Sequence, residues 1–366
     1  MAMELPINPA LDQLPVYQPG RPLEDVAREF GLPVESLIKL ASNENPLGPS
    51  PLALEAMRAA IGKTHLYPDG NAFKLKQRLS GHLDCPAECL IFGNGSNEII
   101  ELIAHALVQP GDEVVVSEHC FAVYPIVTHL FGGKLVVVPS REFGHDPEAM
   151  VRAVTAKTKV VFIANPNNPT GTLAPTAELL RLLERLPKNV LLVMDEAYIE
   201  FLDAPLDLLP VIRSGSHPNL ILMRTFSKVY GLAGLRVGYG IGNPEFVARL
   251  EKARQPFNLN SIAQAAATAA LEDVAHLQLT RDNNKTGLAA LQAEFAALQL
   301  EFIPSHANFV MVKVGDGARV FQEMQRRGVI TRPMAAYNLP QWLRITVGTP
   351  AENNRCIGAL RTALGR

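Results

Sequence analysis

Residues 159–196 read KVVFIANPNNPTGTLAPTAELLRLLERLPKNVLLVMDE, and this stretch decides the fold. Two short apolar runs, KVVFIA and VLLVMD, flank a segment that carries leucines at helical spacing. Apolar runs of about five residues joined by a helix are typical of parallel strands that are buried on both faces. The stretch therefore predicts two parallel strands joined by a helix, with polar residues where each strand ends.

The same pattern continues on both sides of this unit, from about residue 50 to residue 250. Its further apolar runs are DEVVVSE (112–118), KLVVVPS (134–140), LILMRTFS (220–227) and RVGYGIG (236–242). Helical patterns such as IELIAHALV (100–108) separate such runs. We therefore expect an α/β sandwich built on a mostly parallel sheet of about seven strands.

The two ends of the chain carry different patterns. Eight prolines in the first fifty residues predict an extended arm, and LEDVAREF (23–30) predicts one short helix that ends at Gly31. Residues 261–277 are rich in alanine and predict a helix. Beyond them, HANFVMVKV (306–314) and WLRITVG (342–348) are candidate strands among long helices.

These patterns divide the chain into three parts. We expect an N-terminal arm over residues 1–35, a large domain over 36–270 and a smaller α+β domain over 271–366. The arm is expected to pack with the small domain. On this prediction the small domain is built from both ends of the chain.

Composition and charge exclude several classes of protein. Lys and Arg number 34 against 36 Asp and Glu, so no basic surplus indicates a nucleic-acid partner. Apolar runs of about five residues are far shorter than the ~20 that a membrane-spanning helix requires. The N-terminus lacks the basic and apolar regions of a signal peptide, and the four cysteines match neither a disulfide framework nor a paired zinc site. We expect a cytoplasmic protein with reduced thiols.

Polar residues at strand ends are the candidate functional groups, because ligands of open α/β sheets bind outside those ends. FGNGSNEII (92–100) places glycines before an apolar helix, whose free N–H groups attract a phosphate, although a plain helix cap is the alternative. ANPNNPTG (164–171) follows a strand and is compatible with an ordinary turn. Phe121 and Tyr124 follow another strand, where aromatic side chains more often belong to the core.

Charged residues end the next two strands. Asp195 and Glu196 could bind magnesium, but the chain has no phosphate-binding loop of the nucleotide hydrolases, so we predict no metal site. Lys228 lies between hydroxyl residues in the glycine-rich TFSKVYGLAG (225–234), which favours an imine-forming lysine over a surface lysine. A lysine, a carboxylate, an anion cradle and an aromatic ring at strand ends together predict pyridoxal phosphate as the cofactor. Asp195 and Lys228 are therefore expected to converge.

The chain resembles the fold type I pyridoxal-phosphate aminotransferases and, within them, the histidinol-phosphate aminotransferases. Eight motifs in the expected order carry the resemblance: LPVYQPG (14–20), LASNENPLGP (40–49), HLYPDG (65–70), GNGSNE (93–98), NPNNPTG (165–171), DEAYIEF (195–201), TFSKVYGLAGLRVGY (225–239) and LRITVGT (343–349). The resemblance implies a large domain with a mixed, mostly parallel seven-stranded sheet between helices, and a smaller α+β C-terminal domain.

The resemblance also implies roles for individual residues. Lys228 would hold the cofactor aldehyde and move protons, and Asp195 would pair with the pyridine nitrogen. Asn168 and Tyr198 would bond the phenolic oxygen. The further implied cofactor contacts are Gly95, Ser96, Asn97, Phe121, Thr225, Ser227, Arg236 and Tyr67, the last reaching into the partner subunit of a homodimer. The implied substrate contacts are Arg344 for a carboxylate, Arg332 and Tyr17 for a distal phosphate, and Asn45.

The implied activity is amino-group transfer between L-histidinol phosphate and 2-oxoglutarate in histidine biosynthesis. One alternative is an aminotransferase for phenylalanine or tyrosine, which Arg332 disfavours because it offers a cation for a distal phosphate. A second alternative is a decarboxylase on the same fold, similar to the threonine-phosphate decarboxylases. A third is a regulator that binds the cofactor without turnover.

Overall fold

The computed structural model describes residue 7, residues 9–14 and residues 20–366, so the predicted substrate contact Tyr17 lies outside the described residues. The helices are α1 (Ala10–Gln13), α2 (Leu23–Phe30), α3 (Pro51–Ile61), α4 (Phe73–Leu83), α5 (Ser96–Leu107), α6 (Val123–Leu130), α7 (Pro147–Arg152), α8 (Thr176–Arg185), α9 (Leu209–Ser214), α10 (Pro244–Ala253), α11 (Ser261–Ala270), α12 (Val274–Ala297), α13 (Gly317–Gln325) and α14 (Pro350–Ala363). The strands are β1 (Ile38–Lys39), β2 (Leu90–Asn94), β3 (Glu113–Ser117), β4 (Lys134–Val138), β5 (Thr158–Ala164), β6 (Leu191–Asp195), β7 (Leu220–Thr225), β8 (Val237–Gly242), β9 (Phe302–Ile303), β10 (Phe309–Lys313), β11 (Val329–Ile330), β12 (Arg332–Pro333) and β13 (Trp342–Thr346).

A seven-stranded sheet forms the centre of the large part of the molecule, with the strand order β2-β8-β7-β6-β5-β3-β4. Only β8 runs against the others, since it is antiparallel to both β7 and β2. The inner strands are mainly apolar because both faces of the sheet are covered: Val115 packs into one core, whereas Val114 and Val116 pack into the core on the opposite face. The predicted mixed, mostly parallel seven-stranded sheet is confirmed.

The sheet brings the predicted strand ends to one edge. Ala164 at the end of β5 is the register partner of Asp195 at the end of β6. Asn94 at the end of β2 pairs with Val237 at the start of the antiparallel β8. The loops that follow β5, β6 and β7, the start of α5 and the residue before β8 therefore all lie along the same edge.

A smaller antiparallel sheet, ordered β12-β13-β10-β9, forms the C-terminal part of the structure. The two candidate strands predicted there are present as β10 and β13, and the pattern analysis missed β9, β11 and β12, which have two residues each. The early strand β1 pairs in parallel with β11. Helix α2 buries Val26 and Ala27 in a cluster with Ile330 of β11. The predicted boundaries after residues 35 and 270 stay predictions.

Two local predictions can be compared directly with the helices. The predicted helix over 23–30 is confirmed, and it ends at Gly31 in the left-handed conformation with φ of 65°. The prediction of a single helix over 261–277 is wrong, because the helical conformation is interrupted between α11 and α12. Asp273 caps the second helix by accepting a hydrogen bond from the His276 N–H. Among the helices of the described residues, none is long and apolar enough to cross a membrane.

Candidate active site

One cavity of about 190 Å³ lies at this sheet edge and extends to the smaller antiparallel sheet. The predicted site residues that line it are Ser96, Asn97, Phe121, Asn168, Asp195, Tyr198, Thr225, Ser227, Lys228, Arg236, Arg332 and Arg344. Asp195 and Lys228 thus converge on one cavity, as predicted from their positions at the ends of neighbouring strands.

Asp195 is a buried carboxylate held by two hydrogen bonds. Its Oδ2 accepts from Tyr124 Oη at 2.6 Å, and its Oδ1 accepts from the Ala197 N–H at 3.1 Å. Burial raises the pKa of Asp195, while these two bonds and the charge of Lys228 act in the opposite direction. A buried carboxylate that faces a cavity favours a positively charged ligand atom there, because such a charge restores the ionised form.

Glu196, the neighbour of Asp195 in sequence, serves a different purpose. Its Oε2 accepts from Arg224 Nε at 2.8 Å, and both side chains are almost fully buried. The acidic pair of the sequence is therefore divided, with one carboxylate in the cavity wall and the other in an internal ion pair. Among the described residues that line the cavity, Asp195 is therefore the one carboxylate.

Lys228 follows β7 in a tight turn in which the Gly231 N–H donates to its carbonyl oxygen at 3.0 Å. Its Nζ donates to the Ser42 carbonyl oxygen at 3.3 Å and lies 5.6 Å from the centre of the Tyr198 ring. Burial lowers the pKa of Lys228 to about 8, and the Arg344 charge acts in the same direction. The amine is therefore deprotonated far more readily than a surface lysine, as a nucleophile or a base requires.

The start of α5 forms an anion cradle together with Arg236. The helix begins at Ser96 after Gly95, which has no side chain to cap it, so the first N–H groups face the cavity end. Gly95 has φ of 80°, and a β-carbon there would lie 2.2 Å from Arg236 Nη2. Arg236 Nη1 also donates to Ser227 Oγ at 3.5 Å. A cation, a hydroxyl and helix N–H groups at one point match the needs of a phosphate.

Tyr198 and Asn168 line the same cavity. Tyr198 follows β6 and its hydroxyl accepts from Asn43 Nδ2 at 2.9 Å. Asn168 follows β5, and its Oδ1 accepts from Arg344 Nη1 at 2.6 Å. Both side chains can donate toward a phenolic oxygen: Asn168 through its amide nitrogen and Tyr198 through its own hydroxyl proton.

The donor set fits the predicted cofactor. The anion cradle suits a phosphate, since the missing side chain of Gly95 leaves room for the Arg236 guanidinium, and the buried Asp195 suits a protonated ring nitrogen. Lys228 lines the same cavity with a pKa of about 8, and Phe121 offers an aromatic face. These are the groups that pyridoxal phosphate requires from a protein.

Two arginines form the wall of the cavity on the side of the smaller sheet. Arg332 on β12 is the register partner of Arg344 on β13, and both line the cavity. Arg344 is 7% exposed and donates through Nη2 to the Ala41 carbonyl oxygen at 3.1 Å. Two guanidinium groups on one wall give this side of the cavity positive charge, and guanidinium groups bind carboxylates and phosphates.

The structure does not bring two predicted residues to the cavity of their own chain. Asn45 donates to the Val229 carbonyl oxygen at 2.9 Å and to Thr280 Oγ1 at 3.2 Å, so its amide holds the turn that precedes α3. Tyr67 is 83% exposed and stacks on Phe257 at a centroid distance of 4.8 Å.

Sequence reasoning missed two residues that hold the site. Its position after a strand, beside Phe121, predicts Tyr124 as a core residue; the side chain is fully buried, but its hydroxyl also binds Asp195. Asn43 was not singled out, although it lines the cavity and binds Tyr198. The sequence signal for both roles is the polar group itself: a buried tyrosine hydroxyl or asparagine amide needs a hydrogen-bond partner.

Comparison with known proteins agrees with this geometry. The family model of aminotransferase class I and II matches residues 35–360. The histidinol-phosphate aminotransferase of Akkermansia muciniphila is 49% identical over 365 residues, covering 100% of both chains, and histidinol-phosphate aminotransferase 1 of Cupriavidus pinatubonensis is 51% identical over 352 residues, covering 95% of this chain and 94% of its own. The crystal structure of histidinol-phosphate aminotransferase from Sinorhizobium meliloti in complex with pyridoxal-5'-phosphate has a TM-score of 0.88 at 31% identity, covering 100% of this chain and 98% of its own.

Proposed function

Because this chain belongs to the class I and II aminotransferases, we propose that it transfers the amino group between L-histidinol phosphate and 2-oxoglutarate. The products would be imidazole acetol phosphate and glutamate, and the reaction a step of histidine biosynthesis. The observation that carries the substrate choice is the cross-strand pair of Arg332 and Arg344 in the cavity that holds Lys228. The names of relatives at about half identity over the whole chain support the same choice.

Pyridoxal phosphate is the cofactor of this enzyme, and when bound it supplies an electron-accepting ring that stabilises negative charge at the substrate α-carbon. We propose that Lys228 holds its aldehyde and that Asp195 holds its ring nitrogen. Asn168 and Tyr198 would donate to its phenolic oxygen. Its phosphate and ring face would be held by Gly95, Ser96, Asn97, Thr225, Ser227, Arg236 and Phe121.

Lys228 is also the proposed proton carrier. Its Nζ is buried, and its pKa of about 8 lets it take a proton from the substrate α-carbon and release it again near neutral pH. The Ser42 carbonyl oxygen at 3.3 Å from Nζ gives the amine a fixed direction. The nearby Arg344 charge opposes protonation of Lys228 and so favours the free amine.

The arginine pair would read the anionic ends of both substrates. We propose that Arg344 binds a carboxylate of glutamate or 2-oxoglutarate, because the hydrogen bond to Asn168 already orients its guanidinium group. Arg332 would take the phosphate of histidinol phosphate, and Tyr17 stays a predicted contact of the same phosphate. Because the two residues are register partners, one wall can serve the two different anions in turn.

We also propose a homodimer in which each subunit completes the other's site. Tyr67 is 83% exposed, and its stacking partner Phe257 is 46% exposed. Leu66, the sequence neighbour of Tyr67, and Phe73 at the start of α4 are exposed as well, so several exposed apolar side chains accompany a tyrosine that does not line the cavity of its own chain. Such a surface fits a second copy of this chain, in which Tyr67 would contact the cofactor phosphate of the partner subunit.

Hybrid enzymes test the shared site. Neither Lys228→Ala nor Tyr67→Ala alone should give full activity, but their mixture should recover activity, because one of the two sites in a hybrid dimer is intact. A mixture that is no more active than its parents, with dimers present by sedimentation, contradicts the assignment of Tyr67.

The cysteines support a cytoplasmic location, which we propose as well. Cys85, Cys89, Cys120 and Cys356 are buried and free of disulfides. Burial raises the pKa of Cys120 and of Cys356 to about 12, so neither forms the thiolate that oxidises readily. Fractionation of the source cell tests the proposal, and recovery outside the cytoplasm would contradict it.

The decisive experiment compares kcat/KM for histidinol phosphate, phenylalanine and tyrosine with 2-oxoglutarate as acceptor. We expect histidinol phosphate to be preferred, and Arg332→Ala to reduce its kcat/KM by at least about tenfold more than that of phenylalanine. Arg152→Ala, an exposed arginine on α7, is the matched control. Equal losses for both substrates contradict the phosphate assignment, and release of carbon dioxide would favour a decarboxylase.

A second measurement tests the lysine directly. Purified enzyme should be yellow, with a visible absorption band from the imine that Lys228 forms with the cofactor, and Lys228→Ala should abolish this band. Lys188→Ala, which changes an exposed lysine after α8, should keep it. A wild-type protein that stays colourless with pyridoxal phosphate would exclude the cofactor assignment.

A further inference from the structure

We propose that Asn43 is a positioning residue: it ties the small antiparallel sheet to the Tyr198 hydroxyl and fixes the direction in which that hydroxyl donates. The inference rests on the proposed function, because it assumes that Tyr198 donates to the phenolic oxygen of the cofactor. Asn43 itself would not touch the reacting atoms.

The segment 41–43 touches three functional side chains through three consecutive residues. The Ala41 carbonyl oxygen accepts from Arg344 Nη2 at 3.1 Å. The Ser42 carbonyl oxygen accepts from Lys228 Nζ at 3.3 Å. Asn43 Nδ2 then donates to the Tyr198 hydroxyl at 2.9 Å. Of the three contacts, only the last is made by a side chain, so it is the one that depends on residue type.

Asn43 is fixed from the side of the small sheet. Its N–H donates to Thr346 Oγ1 at 3.0 Å, and Thr346 Oγ1 donates back to Asn43 Oδ1 at 3.2 Å. Asn308 Nδ2 donates to its carbonyl oxygen at 3.0 Å. Asn43 is 1% exposed, and Thr346 and Asn308 are 3% exposed, so water does not compete for these bonds. These bonds fix the side-chain amide of Asn43 in the orientation that points Nδ2 toward Tyr198.

This orientation determines what the Tyr198 hydroxyl can do. A phenol has one proton to donate and an oxygen that accepts. Because Asn43 donates to that oxygen, the hydroxyl keeps its own proton for a partner in the cavity. The ring cannot adapt, since it is 3% exposed and packs edge-on against Phe309 at a centroid distance of 5.4 Å. Asn43 therefore selects the donor direction of Tyr198.

The backbone of Asn43 points to the same role. Its φ of 56° lies in the left-handed region, which an asparagine adopts at lower cost than other residues with a β-carbon. This conformation is held by the bonds to Thr346 and Asn308, which come from the other end of the chain. A strained residue that is fixed by remote partners and bonded to an active-site hydroxyl suggests a functional constraint.

Several charged and titratable groups influence the pKa of Tyr198. Burial raises the pKa of Tyr198 to about 12, while the Arg344 charge and the hydrogen bond from Asn43 act in the opposite direction. The other titratable groups that face it are Asp195, Tyr337 and Lys228. All of them stay unchanged in the variants below, so a shift on substitution of Asn43 reports on the hydrogen bond.

The test is a pH titration of the visible absorption of the holoenzyme. A donor to the phenolic oxygen stabilises the form that has lost its proton, so losing the donor raises the midpoint. We expect Tyr198→Phe and Asn43→Gly each to raise the midpoint, by up to about one pH unit. The double variant should be raised no further than Tyr198→Phe alone. Glycine is chosen because it accepts the left-handed backbone, and Asn338→Gly, with φ of 59° at an exposed position, is the matched control.

The outcomes separate this inference from the proposed function. If Tyr198→Phe raises the midpoint and Asn43→Gly only lowers the melting temperature, Asn43 is structural and the inference is overturned alone. If Tyr198→Phe leaves the midpoint unchanged, the proposed role of Tyr198 fails and the inference fails with it. Should Asn43→Gly not fold, Asn43→Ala decides, because it removes the same donor without adding a charge and should raise the midpoint in the same way. An unchanged midpoint in Asn43→Ala overturns the inference.

Discussion

Tyr124 Oη donates to Asp195 Oδ2 at 2.6 Å in the buried wall of the cavity. Tyr124 is fully buried, stacks on Phe162 at a centroid distance of 4.4 Å and meets Phe121 edge-on at 5.6 Å. Burial and the neighbouring Asp195 charge hold the pKa of Tyr124 well above its usual range, so the phenol keeps its proton. One core side chain therefore fixes both the carboxylate and the ring that lines the cavity.

Tyr124→Phe should weaken cofactor binding while leaving the packing intact. The hydrogen bond from Tyr124 lowers the pKa of Asp195, so its loss raises that pKa further and disfavours the charged carboxylate. We expect the dissociation constant for pyridoxal phosphate to rise about tenfold or more, as loss of a hydrogen bond to a charged group implies. Titration of the apoprotein followed by absorbance measures it. Tyr230→Phe removes another buried phenol and should leave the constant unchanged; equal constants for Tyr124→Phe and wild type would contradict the prediction.

Gly95→Ala should damage the phosphate cradle. Its φ of 80° strains any side chain, and the new β-carbon would lie 2.2 Å from Arg236 Nη2, so the guanidinium must move. We expect pyridoxal phosphate to bind at least about tenfold more weakly. Gly111→Ala is the matched control, because Gly111 has φ of 91° with nothing within 4 Å. Both variants should lose stability by about 1 kcal/mol from backbone strain. Weakened cofactor binding in both would show that strain, and not Arg236, is responsible.

Glu200→Gln should stabilise the protein at alkaline pH. Glu200 Oε2 is buried without a hydrogen-bond partner among the described residues, and burial raises the pKa of Glu200 from 4.5 to about 7 despite the Arg224 charge. The folded state therefore keeps a proton that the unfolded state loses above pH 4.5, and stability falls as pH rises from 4.5 to about 7. The neutral variant avoids this loss.

The expected gain is roughly 1–3 kcal/mol in the free energy of unfolding at pH 8, shrinking to zero near pH 4. Urea unfolding at several pH values measures it. Glu184→Gln, on the exposed face of α8, should show no such pH dependence. A gain that is constant across the pH range would rule out titration of Glu200 as its cause.

The strand ends could be predicted from the sequence because their signal is local. Apolar runs such as VLLVMD identify a buried strand, and the register of a parallel sheet brings Asp195 and the end of β5 together without further information. Strand β2 is not among the predicted runs, because its last three residues belong to the glycine-containing segment FGNGSNEII that is interpreted as the cradle. The short strands β9, β11 and β12 have two residues each, so they carry no periodicity to detect.

The supporting hydrogen bonds could not be predicted because their partners are remote. Asn43 and Asn45 lie two residues apart in one motif, and only the first faces the cavity. The choice depends on Thr346 and Asn308, which hold Asn43, and on Thr280, which holds Asn45. No pattern within residues 40–49 contains these partners. Tertiary contacts between the two ends of the chain decide which asparagine supports the site.

Removing one partner of the Arg224–Glu196 ion pair should destabilise the protein more than replacing both partners by apolar residues. Arg224 Nε donates to Glu196 Oε2 at 2.8 Å, and the side chains are only 11% and 4% exposed. Removing one partner leaves a buried charge, so Arg224→Met should lower the free energy of unfolding by about 3–5 kcal/mol. Arg224→Met combined with Glu196→Leu should recover much of this loss, because neither charge then remains desolvated.

Urea unfolding of the apoprotein at one protein concentration measures both effects. The exposed pair of Lys285 and Asp203, at 2.8 Å with both side chains 72% exposed, is the control. Lys285→Met should cost less than about 1 kcal/mol, since solvent screens an exposed pair. A double variant at Arg224 and Glu196 that is no more stable than Arg224→Met would show that the pair contributes through its geometry at the end of β6 and not through balanced charge. Recovery without loss of cofactor binding would show that Asp195 keeps its place when its neighbour's charge is gone.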